Sequence, residues 1–488
     1  MGLQLADQRQ IAKEQRVSRT LSSLTDVAIF VSRSKILRET TLKFFTPVVE
    51  HAVYLSQKNI VNKRILKDKT DMMMAVIYSA LRANIHKKTV QILMKDVILN
   101  QEAKSKEYKF QVKHGFVPPG FINIAPGKLC NLKCLHCYAN ASTDKEKLSY
   151  KVFSRIIKEA KDNWGTHFFV ITGGEPFLWK DEEYTLLDIA ERNQDCLFLV
   201  YTNGTLLHGD TLKRLSKLCN ILPAISVEGM EEATDARRGK GLFKKIVKVM
   251  NNLRNEDIAF GISVTATTEN YREILSDEFI DYFFKKLGAG FGWLFHYMPI
   301  GREPNPSLMP TPEQRLWMWQ RSWNIVRKEK IMLGDFWNHG TVSNGCISAA
   351  RPGGYFYIDW NGNIIPCAFF PYSTMNINDI YKNGKTIDAI FEDPFFKAIR
   401  TWQQNYGCLN AKLNAETDWL RPCPIRDHYA TALKVVNKYH ARLIDGNDPV
   451  MRSKGYANEM IEFDRNLKEK VGSFWCEEYI KNGQPSCN

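Results

Sequence analysis

The sequence predicts an α/β protein built on a mainly parallel sheet, on three observations. Between about 117 and 300, short β-rich runs alternate with amphipathic segments of helix length. A cluster of three cysteines directly follows the first run, and a Gly-Gly-Glu turn directly follows the second. The runs are FINIA (121–125), FFVIT (168–172), LFLVYT (197–202), AISVE (224–228), GISVTAT (261–267) and WLFHYM (293–298). Helical segments such as 151–163 and 240–255 separate them. Six strands with five crossover helices make either an open doubly wound sheet or a partial barrel. In both, the chemistry belongs at the C-terminal ends of the strands.

The other elements follow in chain order. Residues 1–116 read as a basic helical region, with apolar residues three or four apart. One stretch is Leu37, Phe44, Phe45, Val48, Val49, Ala52 and Val53, kinked or split at Pro47; another runs from Met72 to Leu81 and a third from Val90 to Leu99. Residues 117–301 form the sheet domain. Over 302–430 the periodicity lapses and Trp, Pro, Gly and Cys become frequent, which reads as a separate cysteine domain. Residues 431–488 return to mixed-charge helical patterning as a C-terminal tail.

Composition limits the class. A chain of 488 residues fits two to four domains, and 44% hydrophobic with 25% charged residues excludes disordered and fibrous proteins. The net charge is +14, of which +11 lies in the first 117 residues, where 21 Lys/Arg face 10 Asp/Glu. Those basic helices read as a solvated cap, as a surface resting on anionic lipid, or as a nucleic-acid contact. No apolar run is long enough to cross a bilayer. The start MGLQLADQRQ lacks a secretory core, and Ala6 stands where a myristoylation signal needs Ser or Thr. A cytoplasmic protein is expected, peripheral on the inner face of the membrane if the basic helices bind lipid. Its 11 cysteines then read as metal ligands or buried thiols rather than disulfides.

Cys130, Cys134 and Cys137 place three thiols within eight residues on a loop at a strand end. A structural zinc site needs four ligands, and no fourth cysteine is near; His136 is strained as a substitute beside Cys137. Three cysteines on a four-iron cluster leave one iron open to a substrate or cofactor. Gly173-Gly174-Glu175-Pro176 lets a ligand approach the backbone closely and offers a carboxylate to an ammonium group.

Together these motifs resemble the radical S-adenosylmethionine (SAM) superfamily, whose signature is C-x3-C-x2-C followed by GGE after the next strand. The resemblance covers residues 117–300 and implies a partial (β/α)6 barrel of the TIM type. It implies a [4Fe–4S] cluster on Cys130, Cys134 and Cys137, the catalytic core, with SAM chelating the open iron. Reductive cleavage of SAM then yields a 5′-deoxyadenosyl radical that abstracts hydrogen from an unactivated C–H bond. Tyr138, Gly173, Gly174, Glu175, Thr202, Asn203, Ser226, Glu228 and Arg238 become the cofactor-binding set. Glu175 would hold the SAM amino group and Arg238 its carboxylate; Thr265 reads equally as a β-former. A small reductase such as ferredoxin or flavodoxin is the implied electron donor.

Cys346, Gly362 and Cys367 resemble the opening of SPASM or twitch domains, which hold auxiliary iron–sulfur clusters. The dense cysteine run of a full SPASM domain is missing. That allows one auxiliary cluster on Cys346, Cys367 and Cys423, with Cys408 as a fourth ligand. Cys196 and Cys219 read as core thiols, and Cys476 and Cys487 carry little signal. Trp293, His296 and Tyr297 end the sixth strand and read as substrate-facing or as interior packing; His339 and His428 flank the second cysteine domain.

Local phrases such as VPPGFINIAP, YMPIG (297–301), MPTPEQR (309–315), DFWNHG (335–340) and RPCPIRD resemble radical SAM proteins linked to cross-linked, membrane-spanning lipids. That likeness implies a membrane-lipid substrate joined by carbon–carbon bonds. A peptide substrate, the usual partner of SPASM enzymes, is the alternative, RNA modification a weaker one, and nucleic acid is not expected as a partner.

Overall fold

The computed structural model describes residues 46–55, 62–83, 85–408, 416–444 and 449–481. Its centre is a ten-stranded sheet. We number the strands β1 (Ile122–Ile124), β2 (Phe168–Ile171), β3 (Leu197–Thr202), β4 (Ile221–Val227), β5 (Gly261–Ala266), β6 (Phe291–His296), β7 (Leu333–Asp335), β8 (Tyr357–Ile358), β9 (Asn363–Ile365) and β10 (Met375–Asn376). Their spatial order is β10-β9-β8-β1-β2-β3-β4-β5-β6-β7. From β8 through β7 all pairs are parallel; only β9 is reversed, pairing antiparallel with β8 on one side and β10 on the other.

The six expected strands are all present, in sequential order and parallel, as the α/β reading requires. Alternation explains why they hold two layers apart. Phe169, Ile171, Phe198, Val200, Ile262 and Leu294 are buried in the main core, while Val170, Leu199, Ser263, Thr265, Trp293 and Phe295 turn to the opposite face and line a cavity. Helices α3 (Tyr150–Glu159), α4 (Leu186–Arg192), α5 (Gly209–Leu218) and α6 (Leu242–Asn255) fill the crossovers. Helix α3 starts at Ser149, whose hydroxyl accepts from Val152 N–H, and buries Phe153, Ile156 and Ile157 on one stripe.

The sheet continues past the lapse of pattern after 302. Strands β7 and β8 lie beyond that point, yet they pair with β6 and β1 and extend the same sheet at both ends. Each is only two or three residues long, too short to show an alternation. The border expected at 301–302 is thus crossed by a continuous hydrogen-bonded sheet. Strand β6 also begins and ends two residues earlier than WLFHYM, so His296 closes it and Tyr297 and Met298 start the loop.

The described part of 46–116 is helical, including α1 (Lys63–Arg82) and α2 (Gln101–His114). Pro47 falls in the first turn of the helix at 46–55. Leu37, Phe44 and Phe45 lie outside the described residues, as does Cys487. Helix α1 is not an isolated cap: Asp68 is fully buried, binding Arg327, Thr341 and Tyr479. Among the described residues no helix is long and apolar enough to cross a membrane. Helix α7 (Lys454–Trp475) ties the C-terminal tail to the sheet domain, with Tyr456 Oη donating to Pro299 O at 2.9 Å.

Candidate active site

Successive parallel strands deliver their terminal residues to one cavity of about 500 Å³. Cys130, Cys134 and Cys137 after β1, Gly173 and Gly174 after β2, and Thr202 and Asn203 at the end of β3 all line it. So do Ser226 at the end of β4, Thr265 of β5, His296 of β6 and Asp335 of β7. The strand ends therefore bring these residues to one side of a single cavity.

The cysteine loop is shaped by residues far away in sequence. Cys130 N–H donates to Ser142 O at 2.7 Å, closing the loop at its base. Arg302 holds its other end, Nη1 donating to Cys134 O and Nη2 to Ala141 O, both at 2.6 Å, and Nε to Asn140 at 3.1 Å. Gly301, at φ +77°, presses so closely on this loop that a Cβ would lie 2.2 Å from Cys137 O. Gly174 does the same from β2: a Cβ there would lie 2.3 Å from the carbonyl oxygens of Lys128 and Leu129. The double glycine thus serves packing of the cysteine loop as well as ligand access.

Glu175 differs from its expected posture. Its carboxylate is 2% exposed and accepts from Thr202 Oγ1 at 2.7 Å, Asn203 N–H at 2.8 Å and Phe177 N–H at 3.2 Å. Burial raises it to about 7 against those donors. In this arrangement Glu175 locks the ends of β2 and β3 together. Glu228 is likewise committed, accepting from Arg237 Nη1 at 2.6 Å and Arg238 Nε at 2.8 Å. Arg237, which the sequence did not single out, also reaches Leu135 O and His136 O on the cysteine loop. Tyr138 lines the cavity beside the cysteines.

Cys346, Cys367 and Cys423 line the far side of the same cavity. Cys408 does not line it, but packs behind Gly345, where a Cβ would meet its sulfur at 2.5 Å. The Arg351 guanidinium sits beside Cys346 and Cys408. Between the two cysteine groups the wall is aromatic: Phe369 contacts Phe295, Phe336 and Trp337 at ring distances of 5.7, 5.9 and 5.0 Å. Met72 of α1 reaches it too. Phe336 and Trp337 fall within the DFWNHG phrase, whereas Phe295, Phe369 and Met72 carried no sequence signal beyond ordinary core pattern. His339 lines the cavity, whereas His428 is spent on Arg421 O at 2.8 Å. Cys196 and Cys219 are buried outside it, as expected of core thiols.

The donor set suits iron–sulfur clusters. Burial pushes the Cys130 thiol up to about 12 and raises Cys134, with neighbouring thiols adding to the shift; Cys423 and Cys408 are likewise pushed to about 12. Such thiols ionise only against a bound cation, which inverts that balance.

Comparison with known proteins agrees. Residues 124–277 match the radical SAM superfamily and 346–412 the SPASM iron–sulfur cluster-binding domain. The chain is 31% identical over 150 residues to the Fe-coproporphyrin III synthase of Methanosarcina barkeri, spanning 30% of this chain but only 36% of that protein. It is 26% identical over 293 residues to the mycofactocin maturase MftC of Mycolicibacterium smegmatis, covering 57% of this chain and 72% of the relative. In fold it is similar to Streptococcus suis SuiB bound to the precursor peptide SuiA, with a TM-score of 0.52 at 19% identity over 68% of this chain and 77% of that one. Strand-end cysteines, glycine turn and distal cysteine group together make this a chain that carries a radical SAM domain followed by a SPASM iron–sulfur domain.

Proposed function

We propose that the chain is a radical SAM enzyme that modifies a peptide at a carbon of an apolar side chain held in the aromatic cavity. The observation that carries this reading is that both cysteine groups open into one chamber. When bound, the cluster and SAM supply a 5′-deoxyadenosyl radical for abstracting hydrogen. Cys130, Cys134 and Cys137 would hold that cluster, and Cys346, Cys367 and Cys423, with Cys408 as a fourth ligand, an auxiliary one. Gly173, Gly174, Thr202, Asn203, Ser226 and Tyr138 would cradle SAM. Glu175, Glu228, Arg237 and Arg238 act as the frame of that cradle, fixing strand ends and the cysteine loop. Phe295, Phe336, Trp337 and Phe369 exclude water and hold the reacting carbon.

The peptide class is supported by the likeness in fold to SuiB, which is bound to a precursor peptide, and by the likeness in sequence to a maturase. The cavity lining favours a second reading, in which a lipid hydrocarbon chain is cross-linked through carbon–carbon bonds. Met72 faces the cavity while Met73 and Val76 of the same helix are exposed, a path for an alkyl chain at the basic end of the molecule. A small reductase remains the proposed electron donor.

One assay separates the readings. Anaerobically reconstituted protein is given SAM and dithionite, and deoxyadenosine is followed with two probes: a pool of peptides rich in Val, Leu, Phe, Tyr, Cys and Lys, or phosphatidylglycerol vesicles. Peptide is expected to raise the rate about tenfold and vesicles to leave it unchanged. The reverse result establishes the lipid reading, and no deoxyadenosine under any condition removes both.

A further inference from the structure

One polar group in the cavity has no role in the site described so far. His296 closes β6, is 1% exposed and lines the cavity. Its Nε2 lies 3.1 and 3.2 Å from the two oxygens of Asp335, and its Nδ1 has no partner among the described residues. Asp335 is fixed from the other side by the N–H groups of Trp337 at 3.1 Å and Asn338 at 2.9 Å and by Asn338 Nδ2 at 3.0 Å. An acceptor so surrounded takes the Nε2 hydrogen, which leaves Nδ1 with a bare lone pair. The Trp337 ring covers the imidazole, 5.5 Å away and tilted by 24°. His339, the other buried histidine of the cavity, contrasts with it: Nδ1 accepts from Asp335 N–H at 3.1 Å and Nε2 meets Ser322 Oγ at 3.0 Å. His339 is used up by the fold, and His296 keeps one nitrogen for something the fold does not supply.

We infer that His296, oriented by Asp335, is the proton acceptor of the cavity, taking the hydrogen of a substrate O–H, N–H or S–H group as that heteroatom bonds to the substrate carbon radical. This deepens the peptide reading and rests on it, because an alkyl chain offers no such hydrogen. Hydrogen abstraction leaves a carbon radical; the carbon–heteroatom bond forms as the heteroatom–hydrogen bond breaks. The hydrogen leaves as a proton to Nδ1, and one electron leaves to an oxidised iron–sulfur cluster, the class of acceptor the distal cysteines imply. Burial lowers the imidazole to about 4, Asp335 opposing and Arg426 and Arg315 adding to the shift. Asp427 pairs with both arginines, and His339 stands on the far side of Asp335. The ring is therefore neutral and receptive at neutral pH. A weak base suffices, since a heteroatom losing an electron holds its hydrogen poorly.

The test reads the imidazole nitrogens of [15N]histidine-labelled full-length protein by NMR. The His296 signal is assigned by its loss in H296Q or, should that variant fail to fold, by its displacement in D335N. Nδ1 is expected to stay unprotonated from about pH 8 to pH 5. Phenol, an O–H donor on an apolar ring, is expected to shift it saturably, and toluene is not. A protonated Nδ1 at neutral pH, or a resonance that phenol leaves unmoved, overturns the inference. In turnover with a stimulating peptide, H296Q is expected to lower product formed per deoxyadenosine about a hundredfold; an unchanged ratio overturns it as well. Failure of the peptide reading is seen separately, as wild-type protein whose deoxyadenosine formation ignores peptide.

Discussion

His296 and Arg302 show how much single side chains decide here. Because His296 is held neutral at about 4 against an ordinary 6.5, the unfolded chain takes up a proton first as pH falls. The folded state therefore loses stability from pH 6.5 downward until about pH 4, and H296Q removes that loss. The stability gap between wild type and H296Q is expected to move in favour of the variant by up to about 3 kcal/mol between pH 7 and pH 4.5. Urea unfolding at both pH values checks it; a gap independent of pH refutes a neutral buried ring. Arg302 donates three hydrogen bonds to the cysteine loop from one guanidinium. R302A is expected to cost about 2–3 kcal/mol, and R302K to recover only part, because an ammonium cannot span the three acceptors. The measurement is the midpoint of thermal unfolding of the protein before reconstitution. Arg302 was silent in the sequence because its partners lie more than 160 residues away. Glu175 was legible as a motif but not in its use, since its donors come from the next strand.

At the scale of elements, the strand ends were readable where chemistry is local. The cysteine spacing and the glycine pair each fall within a few residues, and the six central strands sit in β-rich runs of five to seven residues bounded by helical segments, even where, as in β1, only three residues pair. Strands β7 to β10 were not readable, because they lack that alternation with crossover helices and draw their stability from neighbouring strands. Gly174 joins the two kinds of element. A methyl group at this position meets two backbone carbonyls of the cysteine loop, which cannot move aside like a side-chain tip. G174A is expected to fold, since its φ lies outside the left-handed region, but to displace the loop and lose most of its iron. Iron per chain after anaerobic reconstitution, with circular dichroism as the control for folding, decides the point; full iron loading would show that the loop tolerates the shift.

For the whole molecule, the chain beyond 301 is structurally part of the sheet. Asn123 and Ile124 of β1 pair with Tyr357 and Ile358, and Gly292 to Leu294 of β6 pair with Leu333 to Asp335. Cutting the chain after residue 301 would expose both edges of the six-strand sheet, unpair their backbone groups and uncover the buried Trp164, which packs on Phe356 and Phe391. It would also remove the Tyr456 bond to Pro299, by which the C-terminal helix holds the end of the sheet domain. The fragment 117–301 is accordingly expected to aggregate or to bind a hydrophobic dye, while the full chain unfolds in one cooperative transition. A soluble 117–301 fragment with its own sharp transition would instead show two independent domains. The aromatic chamber, with its far wall supplied by Cys346 to Phe369, would then be an interface free to open rather than a fixed cavity.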